Sequence, residues 1–157
     1  MLDRSPRRSF LNCRDRVGGG SVNIGVRLLK TMTLNDVGQL VDSLCHGIDS
    51  DDAFHTLIEA DKSIIPLLIQ QFTTRASGAD RARIIEVIWQ HRDKTSIPVL
   101  ASALRDPHPD VWRHALDGLV TIGGIESHAA LVDFRSELGE DSEQASWVDE
   151  AISQFQL

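Results

Sequence analysis

The feature that most constrains this chain is an internal repeat. Leu57 and Ile88, Ile88 and Leu119, and Leu100 and Leu131 are each 31 residues apart, Pro66 and Pro98 are 32 apart, and Leu119 and Ile152 are 33 apart. A fixed period in this range marks a stacked repeat architecture. Each period holds two amphipathic helical patterns. One helical hairpin cannot bury its apolar faces alone, whereas hairpins stacked in register share a continuous core. The chain is therefore predicted to be all-α, a right-handed α–α superhelix (solenoid) of about four helical hairpins.

The helices can be placed from their stripes and stop signals. Leu34, Val37, Leu40, Val41 and Leu44 form the first stripe, which ends at His46-Gly47. Asp49 or Ser50 is expected to cap the next helix, which carries Ala53, Phe54, Leu57 and Ile58. The second hairpin starts near Asp61–Ser63, has Pro66 in its first turn, and continues after Ser77-Gly78 with Ile84, Ile85, Val87, Ile88 and Trp89. In the third, Thr95 or Ser96 is the expected cap, Pro98 opens the helix, and Asp106-Pro107-His108-Pro109 breaks it. Val111, Ala115, Leu119 and Ile122 form the inward stripe of its partner, and Gly123-Gly124 stops it. The fourth hairpin spans residues 126–138 and 142–155.

Residues 96–124 resemble the short HEAT-like repeat of bacterial proteins, the type also found in phycocyanobilin lyase subunits. The residues that carry the likeness are Pro98, Leu100, Leu104, Asp106, Pro109, Val111, Ala115, Leu119, Ile122 and Gly123. Residues 64–93 and 125–156 match more weakly, and residues 33–61 only in periodicity. The resemblance implies a scaffold that grips partners with the surface of its second helices, and no enzyme. One position departs from the pattern. An arginine usually follows the valine and pairs with an acid in a neighbouring turn; here that place is Trp112 and the arginine is Arg113, although Arg81 fills it one unit earlier. An incomplete Asp–Arg ladder is expected, with Trp112 packed where the arginine stem would lie.

Charge is split along the chain. Residues 1–31 hold seven basic and two acidic side chains, a net +5, whereas residues 32–157 hold nine basic and twenty-one acidic ones, a net −12. So acidic a body repels phosphate and favours a protein partner with a basic surface over nucleic acid. The first 31 residues, with Arg7-Arg8 and Gly18-Gly19-Gly20 and no sustained period, read as a separate segment. Three explanations stand: a disordered basic tail, a targeting peptide, or a start assigned too far upstream, with Met32 the first residue of a domain covering 32–157. No stretch has the ~20 apolar residues of a membrane helix and no secretory signal is visible, so a cytoplasmic location is expected. Cys13 and Cys45 form no CxxC pair and read as reduced thiols.

Catalytic chemistry has little to stand on. Asp106, His108, Asp110 and His114 are the densest polar cluster, but they suit a turn and a helix start better than a metal. His46, His55, His91 and His128 have no ligand spacing, and no phosphate-loop, dinucleotide, nucleophile-elbow or zinc-protease motif occurs. No catalytic residue, metal or cofactor is assigned. Helical geometry instead points to a face. With Val111, Ala115 and Leu119 inward, the opposite side of that helix carries Arg113, Leu116, Asp117 and Val120. One period earlier the same side carries Ile85, Glu86 and Trp89, then His55; one period later it carries Glu150. These nine residues are the candidate partner-binding strip, apolar with an acidic rim. The function this suggests is a non-catalytic protein-binding scaffold or adaptor. The alternatives are an immunity protein that neutralises a toxin or a bilin-lyase-like chromophore-handling subunit. If residues 1–31 lie outside the fold, a chain starting at Met32 keeps its helical circular dichroism and its melting temperature. A fall of several degrees on truncation would place the leader against the body.

Overall fold

The computed structural model describes residues 31–155, and the expectations for the leader, Cys13 included, lie outside the described residues. Among the described residues there are eight α-helices, two short 3-10 turns and no strand. They form four hairpins: α1 (Leu34–His46) with α2 (Ser50–Glu59), α3 (Ile65–Thr74) with α4 (Gly78–Gln90), α5 (Ile97–Ala103) with α6 (Pro109–Ile122), and α7 (Gly124–Glu137) with α8 (Glu143–Ser153). Successive hairpins stack, α4 lying along α6 and α5 along α7, so the fold is an α solenoid. None of the described helices is long and apolar enough to cross a membrane.

The helix starts show why the period is so regular. Thr33 caps α1 in a reciprocal box, its hydroxyl accepting from the Asp36 N–H at 3.2 Å while the Asp36 carboxylate accepts from the Thr33 N–H at 2.9 Å. The second and third hairpins begin with 3-10 turns, Lys62–Ile64 and Lys94–Ser96. Asp61 and Asp93 cap them, each accepting at 2.9 Å from the N–H two residues on. Ser96 holds the N-cap position of α5, as expected, but its fully buried side chain makes no capping bond; the side-chain cap is made one turn earlier by Asp93, to which Thr95 supplies its N–H and hydroxyl. Pro66, Pro98 and Pro109 occupy first turns, where a missing N–H costs nothing. Gly123, at φ +68°, ends α6 in a conformation other residues rarely adopt. Gly47 ends α1 for a different reason. Its φ is −83°, but a Cβ there would stand 2.5 Å from the Ser43 carbonyl oxygen.

The inward stripe of α6 lies where its periodicity placed it, with Val111, Ala115 and Leu119 fully buried and Ile122 partly buried against them. Val37, Val41 and Leu44 of α1, Leu57 of α2, Leu68 of α3, Ile84, Ile85 and Ile88 of α4, Leu100 of α5, Leu131 of α7 and Val148 of α8 continue one core through all four hairpins.

A ladder of ion pairs repeats with the same period. Lys62 meets Asp93 at 3.1 Å, Lys94 meets Glu126 at 3.8 Å, and Arg105 reaches Glu137 at 2.8 Å through Nε. These pairs are solvated, and screening by water keeps each of them weak. The Arg81–Asp106 pair is different in kind. Arg81 donates to both Asp106 oxygens, at 2.8 and 2.9 Å, and to the carbonyls of Arg75 and Ala76, at 3.2 and 2.7 Å. Asp106 also accepts from the His108 N–H at 2.9 Å. One guanidinium thus staples the α3–α4 turn to the α5–α6 turn, in a bidentate geometry that lysine cannot reproduce. The next rung is missing because Trp112, only 5% exposed, occupies the position.

Burial pushes the Asp106 carboxyl up, but the hydrogen bonds from Arg81 and the His108 N–H outweigh it and leave the pKa below the ordinary 3.8. The Thr95 hydroxyl and N–H, with Lys62, hold Asp93 down to about 2. Carboxylates depressed in the folded state contribute stability that is complete above their unfolded pKa and is lost as pH falls through the folded one. The denaturant midpoint is expected to fall between roughly pH 5 and pH 2. Asp106→Asn is expected to lose about 2 kcal/mol at neutral pH and to show a shallower acid dependence. An unchanged acid slope in that variant would remove the staple from the account.

Candidate functional site

Each second helix must cover its own first helix and also the second helices on either side. Its buried arc is therefore wider than one stripe. That corrects two residues of the candidate strip: Ile85 is fully buried and Leu116 is 4% exposed. Ile85 is core and offers no surface to a partner. Leu116 is the floor of a groove between α6 and α8.

This groove, about 310 Å³, is lined by Trp89, Leu116, Asp117, Val120, Thr121, Trp147, Glu150, Ala151 and Gln154. Trp89, Leu116, Asp117, Val120 and Glu150 of the candidate strip are thereby brought together. The other candidates lie elsewhere. Arg113 stands beside the groove, its guanidinium 5.2 and 5.8 Å from the ring centres of Trp112 and Trp147 and 2.9 Å from Glu143. Glu86 is half-buried in a separate cavity with Arg83, and His55 is exposed on α2 against the Phe54 ring.

Trp147 is the residue that sequence reasoning missed. It is 46% exposed, and its ring meets Trp112 edge to face at 6.4 Å. Trp112, expected to replace an arginine stem, therefore also positions an aromatic wall of the groove. Periodicity gave no signal for it: the spacing of 33 between α6 and α8 carries Trp112 onto Ala145, two residues short of Trp147.

The opposite wall depends on a glycine. A Cβ on Gly118 would stand 2.6 Å from the Trp89 Cβ and 3.1 Å from Leu100 Cδ1, so only glycine lets the Trp89 side chain lie across α6. The Trp89 indole N–H is buried in that wall with no acceptor among the described residues. Asp117 and Glu150 supply the groove's charge, and no basic side chain is among the residues that line it. Desolvation by the walls pushes the Asp117 carboxyl up, partly offset by His114. Aromatic rings and two carboxylates can bind a cation-bearing, partly apolar chain by cation–π contact and Coulomb attraction.

The family model for HEAT repeats matches residues 65–147, more than half of the chain. No curated protein matches the sequence, so the likeness to bilin-lyase subunits gains no support. HEAT repeats commonly mediate protein–protein interaction and are generally non-catalytic.

Two glycines in helix interiors, Gly118 and Gly38, test this geometry. Gly118→Ala gains ~1 kcal/mol of helix propensity but forces Trp89 aside, and a net loss of about 1–3 kcal/mol with a shifted tryptophan emission is expected. Gly38→Ala in α1, whose Cβ would meet only the Gln71 side chain at 3.5 Å, is expected to stabilise the protein. Chemical denaturation of both variants checks the contrast.

Proposed function

Because the chain belongs to the HEAT-repeat family, we propose that it is a non-catalytic adaptor that holds a basic segment of a partner protein in the groove between α6 and α8. The observation that carries this reading is the pairing of Asp117 and Glu150 with the Trp89 and Trp147 walls in a single groove. Tryptophan is enriched among the residues that dominate binding energy, and carboxylates beside it select cationic side chains. The net −12 of residues 32–157 steers a cationic partner and disfavours nucleic acid. A toxin with a cationic surface is one protein that meets this description.

Titration of the full chain with an arginine-rich, partly apolar peptide, followed by tryptophan emission, tests the proposal. Binding should weaken with salt and be absent for the same peptide with glutamate in place of arginine. Asp117→Lys with Glu150→Lys changes only exposed side chains, so the melting temperature should hold while affinity falls about tenfold or more, two attractions of up to ~1 kcal/mol each becoming repulsions. Equal affinity for both peptides, or wild-type affinity in the double variant, would place the binding face elsewhere.

A further inference from the structure

The last turn of α1 and the first turn of α4 bring together three side chains that the sequence separates. Cys45 and His46 close α1, Asp80 opens α4, and one ligand atom from each lies within 4.8 Å of the others. We propose that Cys45, His46 and Asp80 form a binding site for a divalent transition metal of the zinc class.

Three observations support it. The first is the direction of Asp80. The stretch Ser77 to Asp80 has the spacing of a capping box, and the Ser77 hydroxyl does accept from the Asp80 N–H at 3.3 Å. The reciprocal bond that Asp36 makes to Thr33 is not made by Asp80. Its carboxylate instead faces α1 and meets His46 Nε2 at 3.6 Å, too far for a hydrogen bond. The second is burial: Asp80 is only 9% exposed, a costly place for a carboxylate without a strong partner. The third is the match to coordination chemistry. Nitrogen and oxygen ligands at ~2.0–2.2 Å around a tetrahedral zinc stand about 3.4 Å apart, close to the His46–Asp80 separation.

Thiolate, imidazole and carboxylate together suit zinc, cobalt or nickel and disfavour calcium or magnesium. Two cations lie near the cluster, and each has a carboxylate partner of its own. Arg75 is paired with Asp42 at 2.7 Å, and Arg83 reaches Glu86 at 4.0 Å. A cavity of about 390 Å³, lined in part by Cys45, Asp80, Glu86 and His114, adjoins the cluster and leaves room for water as a fourth ligand. Burial first, then the Asp80 charge, push the Cys45 thiol up to about 11. It binds as thiolate, so each ion taken up releases the thiol proton to solvent. The ion would tie the first hairpin to the second.

Cobalt(II) titration of the full chain tests the site directly. One equivalent is expected to produce a sulfur-to-cobalt charge-transfer band and tetrahedral visible bands, both removed by zinc. The band should vanish in Cys45→Ser and persist in Cys13→Ser. His46→Ala and Asp80→Asn should each weaken binding at least about tenfold, and zinc should raise the wild-type melting temperature but not that of Cys45→Ser. His46 is exposed, so His46→Ala decides the matter if Cys45→Ser fails to fold. No charge-transfer band, a band that survives in Cys45→Ser, or undiminished affinity in His46→Ala would overturn the site.

Discussion

The structure depends on the packing of α4 against α6, where Gly118 admits the Trp89 side chain across the helix. A helical hairpin has two apolar flanks, and each stays wet unless another hairpin covers it. Here α4 and α6 approach closely enough that Ala82, Ile85 and Ile88 on one and Val111, Ala115 and Leu119 on the other belong to a single core. The central hairpins are thereby locked face to face. The outer hairpins then have a rigid surface on which to stack.

The groove is a by-product of that contact. Trp89 is pressed towards α6 by its own packing, and Trp112, filling an arginine's usual place, meets Trp147 of α8. The gap between α6 and α8 is left with aromatic walls and an apolar floor. Asp117 and Glu150 then decide what the gap can hold, because carboxylates among aromatic rings accept cations and repel anions. Stability and groove shape therefore share residues in this protein. Leu116 and Trp89 belong both to the packing and to the groove, whereas Asp117 and Glu150 line it from solvent-exposed positions.

Electrostatics adds direction to a core that is itself non-directional. The Arg81–Asp106 staple fixes one inter-helix turn against the next, and the solvated pairs from Lys62, Lys94 and Arg105 repeat the pattern at lower strength. Each joins one hairpin to the next, so stacking in the wrong register would separate all of them together. The cluster at Cys45, His46 and Asp80 lies at another junction between units, where α1 meets α4.

The sequence by itself determined the helices, their order and their stacking. Pro66, Pro98 and Pro109 open helices by covalent geometry, Gly123 ends one by conformational freedom, and the period of about 31 forces neighbours together because each apolar stripe needs a cover. It also named five residues of the groove, since one face of α6 recurs on α4 and α8 at the same period. Tertiary structure decided what a single-helix pattern cannot hold. The depth to which Ile85 and Leu116 are buried depends on contacts with two flanking helices at once. Trp147 becomes a groove wall only because Trp112 meets it across a helix pair. Asp80 reaches Cys45 and His46 over a sequence separation that no ligand spacing records. Periodicity along a chain fixes which side of a helix faces inward; how wide that side is, and which distant side chains meet there, is set by the neighbours that cover it.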